Sequence, residues 1–191
     1  MRRVPVAWLN LLHERTRLGV AIAGVAFATL LIFMNLGFLG ALLNTTTNFY
    51  DQFNADIFLM SPQSLEISTT EVFPRERLYQ VAGVEGVGHA MPLYSEYLLW
   101  RNPETRESRA MFVYAINPKD PVFLMPEFQD PISLRRLAQP DVVFFDRLSR
   151  PEFGPQDIGL ETEADRRRVT IAGQYSLGGG FAADGTAIMS D

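Results

Sequence analysis

Two histidines, no cysteine and a run of three glycines limit what this 191-residue sequence can catalyse. Without cysteine there is no thiolate zinc site, no cysteine nucleophile and no disulfide scaffold. A metal site or a Ser-His-Asp triad needs its imidazole beside the other ligands or partners. His13 precedes a long apolar run and His89 follows it, so the two fall on opposite sides of a membrane if that run spans one. Gly178-Gly179-Gly180 has the look of a phosphate cradle, but no Gly-Lys-Ser/Thr follows to put an ammonium on the phosphates, and a flexible connection between strands fits better. Glu161, Glu163 and Asp165 lie just before Arg166-Arg167-Arg168, a pattern expected of a solvated charged face rather than a catalytic carboxylate pair. The sequence selects no catalytic residue, no cofactor-binding residue and no metal ligand.

The elements around these residues are more informative. Residues 1–17 carry four arginines and one glutamate, 18–43 carry no charge, and 44–191 carry 13 basic and 21 acidic side chains. An acidic chain with no basic stripe after Arg17 lacks the footprint of a nucleic-acid binder. The stretch Leu18 to Leu43 is 26 residues long, and its most polar members are Thr29 and Asn35. As a helix it reaches roughly 39 Å at 1.5 Å per residue, more than the ~30 Å hydrocarbon core, and it exceeds the h-region of a signal peptide. Arginines before it and Asp51 and Asp56 after it put the N-terminus in the cytoplasm by the positive-inside rule. Residues 44–191 are then extracytoplasmic.

Pro5 to Arg15 reads as an amphipathic helix along the inner leaflet, with Trp8, Leu9, Leu12 and Arg15 as its membrane and partner contacts. Asn35 is the polar residue of the span, and Gly24 with Ala28 and Gly37 with Ala41 allow close helix approach, so the span is expected to pack on other helices. Beyond the membrane the pattern predicts a strand over Asp56–Met60, a short helix from Phe73 to Val81, and a hairpin of Tyr94–Trp100 with Ala110–Ile116. A helix over Pro131–Ala138 follows, then strands over Val142–Phe145, Val169–Tyr175 and Thr186–Met189. Strands and short helices without βαβ regularity make the fold class α+β. The organisation is thus a cytoplasmic amphipathic helix (1–17), a transmembrane helix (18–43) and an extracytoplasmic, periplasmic α+β domain (44–191). Ending at Ser190-Asp191 directly after a strand, that domain reads as truncated.

The segments VAWLNLLHERTRL, NTTTNFYDQFNADIFLMSPQS, RPEFGPQDIG and VTIAGQYSLGGGFAADGTAIMSD, with the long first span, resemble the DevC-type permease subunit of ABC exporters from cyanobacteria, a group similar to the MacB and FtsX permeases. The resemblance covers essentially the whole chain. It implies a transport subunit rather than an enzyme, with ATP hydrolysis in a separate cytoplasmic ABC ATPase. It also implies a periplasmic membrane-fusion protein, a TolC-like outer-membrane channel and a homodimer in the lipid bilayer of the inner membrane. Such permeases export glycolipid or other envelope substrates by mechanotransmission through four spans, of which residues 1–191 hold the first. The alternative is a single-pass anchored binding or sensing module, for which 17 cytoplasmic residues leave no room for an output domain.

Overall fold

The structure, a computed structural model, describes residues 13–64, 71–178 and 183–191. The chain divides into two compact units, residues 1–45 and 46–191. Helix α1 (Arg15–Tyr50) makes up the described part of the first unit and contributes its last turn to the second. Its 36 residues run without a break through the chargeless stretch. Thr29 and Thr45 donate their hydroxyls to the carbonyls of Val25 and Ala41, both at 2.8 Å, so these polar groups are satisfied inside the helix.

The second unit is built on a closed six-stranded barrel. Its strands are β1 (Leu93–Arg101), β2 (Ser108–Ile116), β3 (Val142–Asp146), β4 (Glu161–Ala164), β5 (Arg167–Tyr175) and β6 (Thr186–Ser190), in the order β1-β2-β6-β3-β5-β4. The expected hairpin forms, in register from Leu93↔Ile116 to Arg101↔Ser108. β2 runs parallel to β6 and β3 parallel to β5, while the remaining contacts, including the β4–β1 closure at Trp100↔Ala164, are antiparallel. Helices α2 (Glu76–Ala82) and α3 (Pro131–Leu137) lie where the sequence puts them. Asp130 caps α3, accepting from the Ser133 hydroxyl at 2.8 Å and from the amides of Ser133 and Ile132 at 2.9 and 3.3 Å. These bonds, the hydroxyl's first, hold its carboxyl below the ordinary carboxylate range.

Two apolar clusters fill the unit. Trp100, Met111, Val143, Phe145, Ala164, Ile171 and Ala187 come from all six strands, so their cluster is the barrel interior. The other lies against one outer face, where Phe112, Tyr114, Phe144, Tyr175 and Ile188 are covered by Phe53, Phe123, Phe128 and Leu137. Strand β3 is buried at every position because it faces both clusters, which is why VVFF reads as an unbroken apolar run. The tripeptide Pro-Glu-Phe occurs twice as a 3-10 turn, at 126–128 and at 151–153. Phe128 enters the outer cluster and Phe153 plugs the interior.

The sequence expectations need two corrections. No strand forms over Asp56–Met60: Phe58 sinks against Tyr50 and Phe53, while Ile57 and Leu59 stay exposed, so the run has one anchoring side chain and no ladder. Glu161–Ala164, read as a charged surface stretch, is strand β4. Its outward glutamates alternate with inward Thr162 and Ala164, and Asp165-Arg166, both at positive φ (47° and 67°), turn the chain into β5.

Candidate functional site

Of the residues expected to make membrane and partner contacts, Trp8, Leu9 and Leu12 lie outside the described residues. Arg15 is exposed at the start of α1, followed by an exposed Arg17–Glu14 ion pair of 3.1 Å. Asn35 lies twenty residues further along the helix, exposed within the apolar stretch. Helical periodicity aligns it with Gly24, Ala28, Leu31 and Leu42. A side chain built at Gly24 would meet nothing within 4 Å. Unlike Thr29 and Thr45, the Asn35 amide has no hydrogen-bond partner among the described residues. An unsatisfied amide in hydrocarbon is costly, and a facing helix relieves it.

The last turn of α1 is set in an aromatic foot that belongs wholly to the second unit. Phe49 stacks on Tyr114 with centroids 5.2 Å apart and packs edge-on against Phe53 at 4.8 Å. Tyr50 and Phe53 each meet Phe58 at 5.2 Å, and Phe53 meets Phe123 at 4.8 Å. The backbone leaving the helix is tied as well. Leu124 N–H donates to the Gln52 carbonyl at 2.8 Å, and Asn54 N–H to that of Val122 at 2.9 Å. Aromatic pairs of this kind contribute about 0.5–1.5 kcal/mol each beyond their burial.

A polar site that spacing does not reveal lies at the end of β3. Asp146 is completely buried, and its carboxylate accepts four hydrogen bonds. They come from the amides of Leu148 (3.0 Å), Leu177 (3.2 Å) and Gly178 (2.6 Å) and from the Thr186 hydroxyl (2.9 Å). The Tyr175 hydroxyl in turn donates to Thr186 Oγ1 at 2.9 Å. Burial, reinforced by the Asp146 charge, raises the Tyr175 phenol well above its usual value; burial likewise raises that of Tyr114, with help from Tyr97 and Tyr50. Gly178, the first of the three glycines, thus gives its N–H to a carboxylate of the chain itself, at a φ of +81°. Such a nest pins loops together around a carboxylate that is itself fully buried.

The other charged candidates are surface pairs. Glu163 meets Arg101 at 2.7 Å, Glu161 meets Arg168 at 3.6 Å, and Asp141 meets Arg167 at 3.4 Å. The hydrogen bond and charge of Arg101 hold the Glu163 carboxyl below its ordinary range. His89 lies 3.5 Å from Asp120.

No family model and no curated protein matches the chain. Among solved structures, it is similar to the extracellular domain of the noncanonic ABC-type transporter YknZ from Gram-positive bacteria, at 14% identity over 70% of each chain with a TM-score of 0.40. A likeness of that size sets neither the fold nor the function of this chain.

Proposed function

We propose that the chain is the N-terminal part of the permease subunit of a DevC-type ABC exporter, working with a cytoplasmic ABC ATPase, a membrane-fusion protein and a TolC-like channel. Residues 1–17 would lie at the cytoplasmic face, 18–43 cross the inner membrane and 44–191 stand in the periplasm. The observation that carries this reading is α1 itself. A single helix contains the whole chargeless stretch, exposes the unsatisfied Asn35 amide within it, and ends in the aromatic foot of the barrel unit. An anchor alone needs no mid-span amide. A span that engages neighbouring helices or a second protomer does need one. The sequence resemblance supplies the transport assignment and the class of cargo, glycolipid or another envelope substrate.

Two experiments test this. Because the chain has no cysteine, single cysteines report topology without background. In spheroplasts a membrane-impermeant maleimide should label Glu104→Cys, in the β1–β2 turn, and reach Arg2→Cys only after lysis. The reverse pattern would overturn the orientation. With the full complex co-expressed, Asn35→Leu should insert normally yet co-purify less ATPase and fusion protein. Undiminished recovery would remove Asn35 from the partner contacts, and no ATPase recovered with the wild-type chain would sink the transport reading.

A further inference from the structure

Residues 55–60 have the composition of a buried strand and none of its bonds. Ile57, Phe58, Leu59 and Met60 are consecutive apolar residues ended by Ser61-Pro62, a pattern expected of a strand covered on both faces. Their exposure alternates as along a strand. Phe58 and Met60 are half-buried, Phe58 edge-on against Tyr50 and Phe53, whereas Ile57 is 86% and Leu59 54% exposed. Yet no backbone hydrogen bond joins residues 55–60 to any other described residue. The chain is held at both ends of this gap. Before it, Asn54 N–H donates to the Val122 carbonyl at 2.9 Å; after it, the carbonyl of buried Ser61 accepts from Ser64 N–H at 3.0 Å.

The unpaired backbone decides what can cover this run. Acyl chains would leave its N–H and C=O groups without partners, which hydrocarbon does not tolerate. A helix offers apolar side chains but has spent its own backbone groups internally. Only another extended strand supplies both a hydrogen-bond ladder and apolar side chains to lie beside Ile57 and Leu59. Chain connectivity points to its source. The run starts five residues after α1 ends at Tyr50. One helix encloses no path across a bilayer, so a permease polypeptide has to come back to the membrane beside its first span. The returning segment then passes the exit of α1, where residues 55–60 lead away from it.

We propose that a strand from the part of the permease polypeptide beyond residue 191, on its way back to the membrane, pairs with residues 55–60 and covers Ile57 and Leu59. The inference rests on the permease reading given above. Amide hydrogen exchange, read residue by residue by mass spectrometry in detergent, compares the chain of residues 1–191 with the complete permease polypeptide. In the shorter chain the amides of residues 56–60 should exchange at the free-chain rate. In the complete polypeptide one alternate set, either Ile57 and Leu59 or Asp56, Phe58 and Met60, should slow by about a hundredfold, because an added strand bonds a single edge. As a second measure, Ile57→Cys in this cysteine-free chain should react with maleimide about tenfold more slowly in the complete polypeptide. The inference is overturned if the complete polypeptide leaves these amides fast, or slows them uniformly, as cover by a helix or loop would. It is overturned equally if they slow in residues 1–191 with rising concentration, which would seat a second copy, or only when fusion protein is added. A stop codon directly after Asp191 would remove the permease reading and the inference with it, so the two failures are told apart.

Discussion

Replacing Asp146 tests the account of the barrel's buried polar nest most directly. Asp146→Ala leaves four donors without their acceptor. The Leu177 amide and the Thr186 hydroxyl are buried, whereas Leu148 and Gly178 have access to water. Two stranded buried donors at about 1–3 kcal/mol each give roughly 2–6 kcal/mol, reduced by no longer burying a carboxylate without a counter-ion. The expected net loss is about 2–4 kcal/mol, or a fall in Tm of roughly 6–12 °C for a unit of this size. Asp146→Asn keeps the volume but turns an NH₂ toward one pair of donors, so its loss should be intermediate. Trp100, in the barrel interior, reports unfolding by fluorescence once the other tryptophan is removed as Trp8→Phe. Because Thr186 links Tyr175 to Asp146, a cycle of Asp146→Asn with Thr186→Val should be non-additive by more than about 0.5 kcal/mol. An Asp146→Ala chain within about 0.5 kcal/mol of wild type, or an additive cycle, would refute the nest as a stabilising unit.

Other perturbations probe different parts of the fold. Gly173→Ala puts a Cβ within 2.8 Å of the buried Phe144 ring and should cost about 1–3 kcal/mol in thermal unfolding. Gly88→Ala, with nothing within 4 Å, should change stability by no more than about 0.5 kcal/mol, and equal effects would contradict the packing. Tyr114 and Tyr175 have raised phenol pKa values, so their contribution is complete below the free-phenol value of ~10 and is lost as pH rises toward the folded values. Phenolate absorbance should show these two of the six tyrosines ionising only with unfolding; ionisation of all six with native near-ultraviolet circular dichroism would disprove their burial. The depressed Asp130 carboxyl works in the opposite sense. Its support of α3 is present above the unfolded value of ~3.9 and lost as pH falls through the folded one, so Asp130→Ala should flatten the acid limb of the stability curve.

How far the sequence reveals these features depends on the range of the interactions. The long apolar helix, the β1–β2 hairpin and the Asp130-capped α3 are specified by neighbours in the chain, and each forms where the pattern predicts a helix or a hairpin. The Asp146 nest draws its long-range donors from 31, 32 and 40 residues away, so no local spacing marks that aspartate among 22 acids. β4 escapes notice because a four-residue strand shows only Thr162 and Ala164 inward, too few for alternation to register.

Strand β5 shows where alternation is readable yet misleads. Val169, Ile171, Gly173 and Tyr175 share one parity and are all buried, which by period alone sends all four to one face. The pairing shifts between Val143↔Ile171 and Phe144↔Gly173, leaving Ala172 as an extra residue on β5. That bulge turns everything after Ile171 to the other side. Val169 and Ile171 fill the barrel interior, whereas Tyr175 emerges in the outer cluster beside Phe128. Only from there does its hydroxyl reach Thr186, and through it Asp146. Gly173 is the sequence cue, since its missing side chain admits the Phe144 ring, but a glycine in a strand says that something comes close without saying what. The place of Tyr175 in the outer cluster, and with it the link through Thr186 to the nest, therefore turns on one inserted residue.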